Sequence, residues 1–106
     1  MISQLEGKLE RAKELAHRDP GSALALLRKV AEEVLRVAAP DWDPSRESLA
    51  EYAEVRRYPD FFHEMADRIE GSYRFVMQAG EGDVLGAISS TAFLLEVLRR
   101  LPASSS

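Results

Sequence analysis

The stretch from Asp83 to Leu101 constrains the fold most, because read as a helix it is apolar on nearly all sides. A helix of that kind has to be buried by the rest of the chain. Several of its residues are small, which lets neighbouring helices approach closely. We therefore expect it to be the central, last helix of a helical bundle. Its main apolar line is predicted to contain Val84, Leu85, Ile88, Ala92, Leu95 and Leu98.

Two helices are predicted in the N-terminal part of the chain. From Ile2 to His17, apolar residues recur at the three- and four-residue spacing of one buried stripe. The pair Asp19-Pro20 marks the start of the next helix, because Asp caps free backbone N–H groups and Pro fits the first helical position. This second helix should end near Ala38. The short connection predicts an antiparallel pair.

The middle of the chain is predicted to form a short and a long helix. Asp43-Pro44 repeats the start signal and predicts a short helix over 45–57. Pro59 interrupts that helix, since the residue before a proline is disfavoured in the helical conformation. A long helix then begins near Pro59 and runs to about Ala79. Asp83, after a glycine-containing turn, is expected to cap the last helix.

These segments predict an all-α protein, an up-down antiparallel bundle of four main helices plus one short helix. No alternating strand pattern competes with this interpretation. The 106 residues suit one hydrophobic core. We expect one domain over 1–102 and a disordered tail over 103–106.

Composition narrows the setting in which the chain works. It has no cysteine, which excludes disulfides and thiolate metal sites and fits the cytoplasm. The uncharged run from Val84 to Leu95 is shorter than the roughly 20 residues that cross a bilayer, and no signal-peptide pattern is visible, so no membrane partner is expected. Asparagine is also absent, a depletion found in thermophilic proteins.

Charge argues against broad binding to a phosphate backbone. The chain has a net charge of −4, and residues 41–80 alone contain nine acidic residues and five arginines. Proteins that bind nucleic acid through the backbone present a basic face instead. DNA is therefore not expected as a partner, while a small site lined by arginine stays compatible with this charge pattern.

The stretch from Asp19 to Val37 resembles a helix of the HEPN superfamily. Some prokaryotic members have a similar run with the same spacing. The resemblance implies an antiparallel helical bundle that often dimerises, with members that are metal-independent RNases and others that serve as nucleotide-binding or interaction modules. The matching residues here are Asp19, Pro20, Ala23, Arg28, Glu32 and Arg36.

The nucleases of that superfamily have an arginine followed a few residues later by a histidine. Arg57-x5-His63 and Arg56-x6-His63 match this pattern. The resemblance implies that His63 would handle a proton at the ribose hydroxyl or the leaving group, while an arginine would stabilise charge on the phosphate. Tyr58 and Pro59 inside the motif depart from the nucleases. His63 and Asp67 are also four residues apart, but two ligands do not make a metal site, and neither a metal nor a cofactor is expected.

Aromatic residues in the middle of the chain are candidates for a partner surface. Trp42 lies in a loop between two prolines and is either an interface anchor or a plug for the end of the bundle. Phe61 and Phe75 lie off the centre of the apolar stripe of the fourth main segment, so these two are expected to be the most exposed.

We therefore predict an HEPN-like, homodimeric interaction or regulatory module; whether it is an enzyme is left open, with a non-enzymatic role favoured. The apolar last helix and the aromatic excess of the two preceding helices indicate the dimer. The alternative is a metal-independent endoribonuclease that uses Arg56 or Arg57 with His63, which would make RNA a partner. A nucleotide-binding bundle is the weaker alternative, since no glycine-rich phosphate loop is present.

Overall fold

The computed structural model describes residues 1–102, which contain five α-helices and a 3₁₀ turn over Glu81–Asp83. The all-α prediction is confirmed, and no strand occurs in these residues. The helices are α1 (Ile2–Leu15), α2 (Pro20–Ala38), α3 (Leu49–Val55), α4 (Asp60–Gln78) and α5 (Val84–Arg100).

Helix α5 lies at the centre of the bundle, as predicted. It packs against α1, α2 and α4, and Leu94 and Leu95 have no exposed surface. Thr91 is also completely buried, and its hydroxyl donates a hydrogen bond of 2.7 Å to the carbonyl of Ala87 one turn earlier. This bond satisfies the one buried polar side chain of α5, which would otherwise be costly in a core.

The predicted apolar line of α5 is wrong at Leu85, whose side chain is 60 % exposed. Helix α4 covers one flank of α5, where Phe75 lies on Gly86 and the guanidinium of Arg68 lies 4.4 Å from the centre of the Phe93 ring. Helix α1 covers the opposite flank. Leu85 lies on the strip between these flanks, so the periodicity placed it on the wrong side of the helix.

Helix α2 has the predicted bounds and the predicted cap. Asp19 accepts hydrogen bonds from the backbone N–H and the hydroxyl of Ser22, and these bonds hold the pKa of Asp19 below its ordinary value. At the middle of α2, the Nη2 of Arg28 donates a hydrogen bond of 2.8 Å to the carbonyl of Ala79. This contact ties α2 to the residue that follows α4.

Helix α3 is shorter than predicted at both ends. Asp43 accepts hydrogen bonds from the backbone and hydroxyl of Ser45, so the Asp-Pro signal forms a turn instead of a helix start. The start lies at Leu49, where Ser48 and Glu51 cap the helix reciprocally. The helix ends at Val55 because the backbone then reverses direction.

The termini of the other helices differ less from the prediction. Helix α1 ends at Leu15 rather than His17, and a turn follows it. Asp83 makes no side-chain capping bond at the start of α5, because the residues before it form the 3₁₀ turn. Helix α4 begins after Pro59, as expected.

Candidate functional site

The turn between α3 and α4 carries the predicted arginines and is anchored by Tyr58. The Tyr58 hydroxyl donates a hydrogen bond of 2.5 Å to the carbonyl of Ala38, the last residue of α2. Its ring packs on Phe62, with 4.7 Å between the ring centres. Burial is the main cause that raises the pKa of Tyr58, so this hydroxyl stays a proton donor at neutral pH. The turn is therefore attached to both α2 and α4.

Arg56 is directed back onto α3. Its guanidinium carbon lies 3.9 Å from the centre of the Tyr52 ring, which is a cation–π contact. Its Nη1 donates a hydrogen bond of 3.3 Å to the carbonyl of Tyr52. Both interactions occupy the guanidinium that the nuclease alternative would require for a phosphate.

Arg57 is exposed and has a backbone φ of 56°, in the left-handed region that favours glycine. Within residues 1–102 its guanidinium has no ion-pair partner and donates no hydrogen bond to another residue. His63 lies in the first turn of α4 and is half-buried. In the same residues, no hydrogen bond joins the imidazole to either arginine.

A groove of about 940 Å³ lies beside this turn, at one end of the bundle. We call it the end groove. Sequence reasoning missed it because its walls come from four separate parts of the chain. It is lined by Met1, Ile2, Val37, Ala38, Pro40, Arg57, Tyr58, Pro59, Leu98, Arg99, Leu101 and Pro102.

Trp42 anchors the loop that connects α2 to α3. Its indole N–H donates a hydrogen bond of 3.1 Å to the carbonyl of Glu47, and its ring meets Tyr73 edge-on at 5.8 Å. Both rings line a smaller pocket of about 250 Å³, together with Glu32 and Arg36 of α2. Trp42 is half-buried. These contacts hold Trp42 against α4 on the flank of the bundle.

The two candidate phenylalanines differ in exposure. Phe61 is half-buried and packs against the core, with its ring centre 6.5 Å from that of Phe62. Phe75 is 40 % exposed and lies on the outer surface between α4 and α5. Of the two, Phe75 is the one that offers a sizeable apolar surface to a partner.

The described residues contain no group of three or more His, Asp or Glu side chains arranged to hold a metal ion. No helix in residues 1–102 is both long enough and apolar enough to cross a membrane. The chain matches no protein-family model, no curated protein and no solved structure.

Replacing Arg57 by glycine should stabilise the protein. A residue that has a side chain is strained in the left-handed backbone conformation, and glycine relieves this strain. Glycine also gives the unfolded chain more conformational freedom, which offsets part of the gain in stability. We expect a net gain of about 0.5–1 kcal/mol in the free energy of unfolding, measured by urea denaturation. A glycine variant that is less stable than the wild type would show that the Arg57 side chain makes a stabilising contact.

Proposed function

We propose that the chain is a cytoplasmic, HEPN-like interaction module that pairs with a second copy of itself. The pairing surface is the exposed strip of α5 with the adjacent ring on α4, which we call the α5 face. The observation that carries the proposal is an exposed, partly apolar strip of α5, bordered by Arg68 and Glu96, on a strongly charged protein. The α5 face consists of Leu85, Gly86, Ser89, Ala92, Phe93 and, from α4, Phe75.

The α5 face exposes large apolar side chains. Leu85 is 60 % exposed and Phe75 is 40 % exposed. No charged residue occurs from Val84 to Leu95, although 30 % of the chain is charged. Contiguous apolar surface of this kind is typical of a site where a partner binds.

Small residues at the centre of the α5 face allow a second helix to approach closely. Ser89 and Ala92 lie near the middle of the helix, and Ser89 is exposed. Phe75 already uses the space that Gly86 leaves open, because a methyl group added at Gly86 would lie 3.1 Å from the Phe75 ring. A partner helix could therefore approach the backbone of α5 closely at these small residues, beside the Phe75 ring.

The charges at the two ends of α5 favour a second copy as the partner. Glu81 and Asp83 make the N-terminal end acidic, and the C-terminal end presents Arg99 and Arg100, both of which also pair with Glu96, and Arg99 with Glu6. If two copies of α5 pack antiparallel about a two-fold axis, the acidic end of each lies beside the basic end of the other. A two-fold interface requires such self-complementarity.

The substitution Leu85→Glu should convert the dimer to a monomer. It replaces the most exposed large apolar side chain of the α5 face by a carboxylate, and both the lost apolar contact and the desolvation of the new charge oppose association. We expect the dimer dissociation constant to rise at least tenfold, measured by sedimentation equilibrium over a range of protein concentrations.

The matched control is Val55→Glu. Val55 is 75 % exposed on α3, away from the α5 face, so the same change of charge there should leave the dissociation constant unaltered. A wild-type protein that stays monomeric at high micromolar concentration would contradict the proposal. Equal effects of the two substitutions would show that only net charge matters.

The endoribonuclease alternative has one observation in its favour. Arg57 is exposed and has no ion-pair partner within residues 1–102. It lies six residues before His63, across the turn between α3 and α4. An arginine held in a strained conformation is a feature often found at functional sites. The engagement of Arg56 by Tyr52 leaves Arg57 as the residue to bind phosphate.

If the alternative holds, the wild-type protein should cleave single-stranded RNA in the presence of EDTA, and His63→Ala should lose this cleavage because the proton-transfer group is removed. His17→Ala is the matched control, since His17 lies in the turn after α1. Absence of cleavage by the wild type, or equal cleavage by both variants, would exclude Arg57 and His63 as a nuclease site.

A further inference from the structure

Much of the lining of the end groove suits an alkyl chain, which has no hydrogen-bonding groups. Three of its lining residues, Pro40, Pro59 and Pro102, have no backbone N–H to offer. The hydroxyl of Tyr58 and the carbonyl of Ala38 are hydrogen-bonded to each other. An alkyl chain needs no hydrogen-bonding partner from this part of the lining.

The dimensions and the apolar walls of the end groove agree with this chemistry. Its volume of about 940 Å³ lies within the roughly 300–1,000 Å³ range of small-molecule sites. Val37, 39 % exposed, and Met1, 58 % exposed, present apolar surface to it. An alkyl chain laid against these walls would remove that surface from water.

The charges of the end groove indicate an anionic head group. No acidic residue lines it, although the chain has a net charge of −4. Asp41 and Asp60 adjoin lining prolines in sequence but do not line the groove. Arg99 is paired with Glu6 and Glu96, so Arg57 is the lining arginine that remains without an ion-pair partner within residues 1–102.

We propose that the end groove binds a long-chain monocarboxylate. The alkyl chain lies along the apolar walls, and the carboxylate accepts hydrogen bonds from the guanidinium of Arg57. The planar fork of arginine matches the two oxygens of a carboxylate. In this proposal Arg57 is a binding residue, and its left-handed backbone conformation is an example of strain that is retained at a binding site. This site shares no residue with the α5 face, and Arg99, which lines it, lies at the end of α5 that the proposed homodimer would place beside Glu81 and Asp83 of the second copy.

The test is calorimetric titration of the full chain with sodium dodecanoate below its micelle concentration. We expect one molecule bound per chain. Decanoate, with two methylene groups fewer, should bind on the order of tenfold more weakly, because each buried methylene contributes to affinity. Arg57→Gln should weaken dodecanoate binding about tenfold and leave the binding of the uncharged dodecanol unchanged.

Two further variants separate loss of the head-group contact from loss of structure. Arg18→Gln is the matched control at the opposite end of the bundle and should bind dodecanoate like the wild type. Arg57→Gly, expected to be more stable than the wild type, should lose affinity to the same extent as Arg57→Gln. Absence of dodecanoate binding by the wild type would overturn the proposal, as would an affinity that is the same for Arg57→Gln and the wild type.

Discussion

The apolar side chains of α5 that lie between α1, α2 and α4 hold the three long helices together. Leu94 and Leu95 are completely buried, and burial of each such side chain contributes about 1.5–3 kcal/mol. Because α1, α2 and α4 all contact α5, a change in its position would alter its interfaces with all three of these helices. The helices packed around α5 end at different points along it. Their ends form the two ends of the molecule, including the end groove.

Helix α3 depends on a different set of interactions, because its packing is against α4. Glu70 accepts a hydrogen bond of 2.9 Å from the backbone of Leu49 and also pairs with Arg74, which donates to the carbonyl of Pro44. Tyr58 fixes the other end of the segment. These polar contacts explain how a seven-residue helix, too short to be stable alone, is held in place.

Much of the fold could be predicted because its helices obey local rules. The cap at Asp19 and the break at Pro59 lie where the sequence indicates them. Leu85 could not be placed, since a helix that is apolar all round has no periodicity that distinguishes its buried side from its exposed side. The start of α3 was missed because two valid signals compete, and the capping box of Ser48 and Glu51 prevails over Asp43-Pro44.

The candidate surfaces were harder to predict than the helices. The sequence identifies Arg57 and Phe75 as candidate site residues, but it does not indicate the left-handed backbone conformation of Arg57. The end groove joins residues near both ends of the chain with the ends of α2 and α3, and no local pattern reports such a juxtaposition. The α5 face follows from which flanks α1 and α4 leave uncovered, which is a property of the packed bundle.

Native-state hydrogen exchange measured by NMR tests the central position of α5 most directly. If α5 is the element on which the bundle depends, its amides from Ala87 to Leu98 should be among the slowest in the protein and should exchange only through global unfolding. The amides of α3 should exchange faster, through local opening. Faster exchange in the middle of α5 than in α3 would contradict this account of the structure.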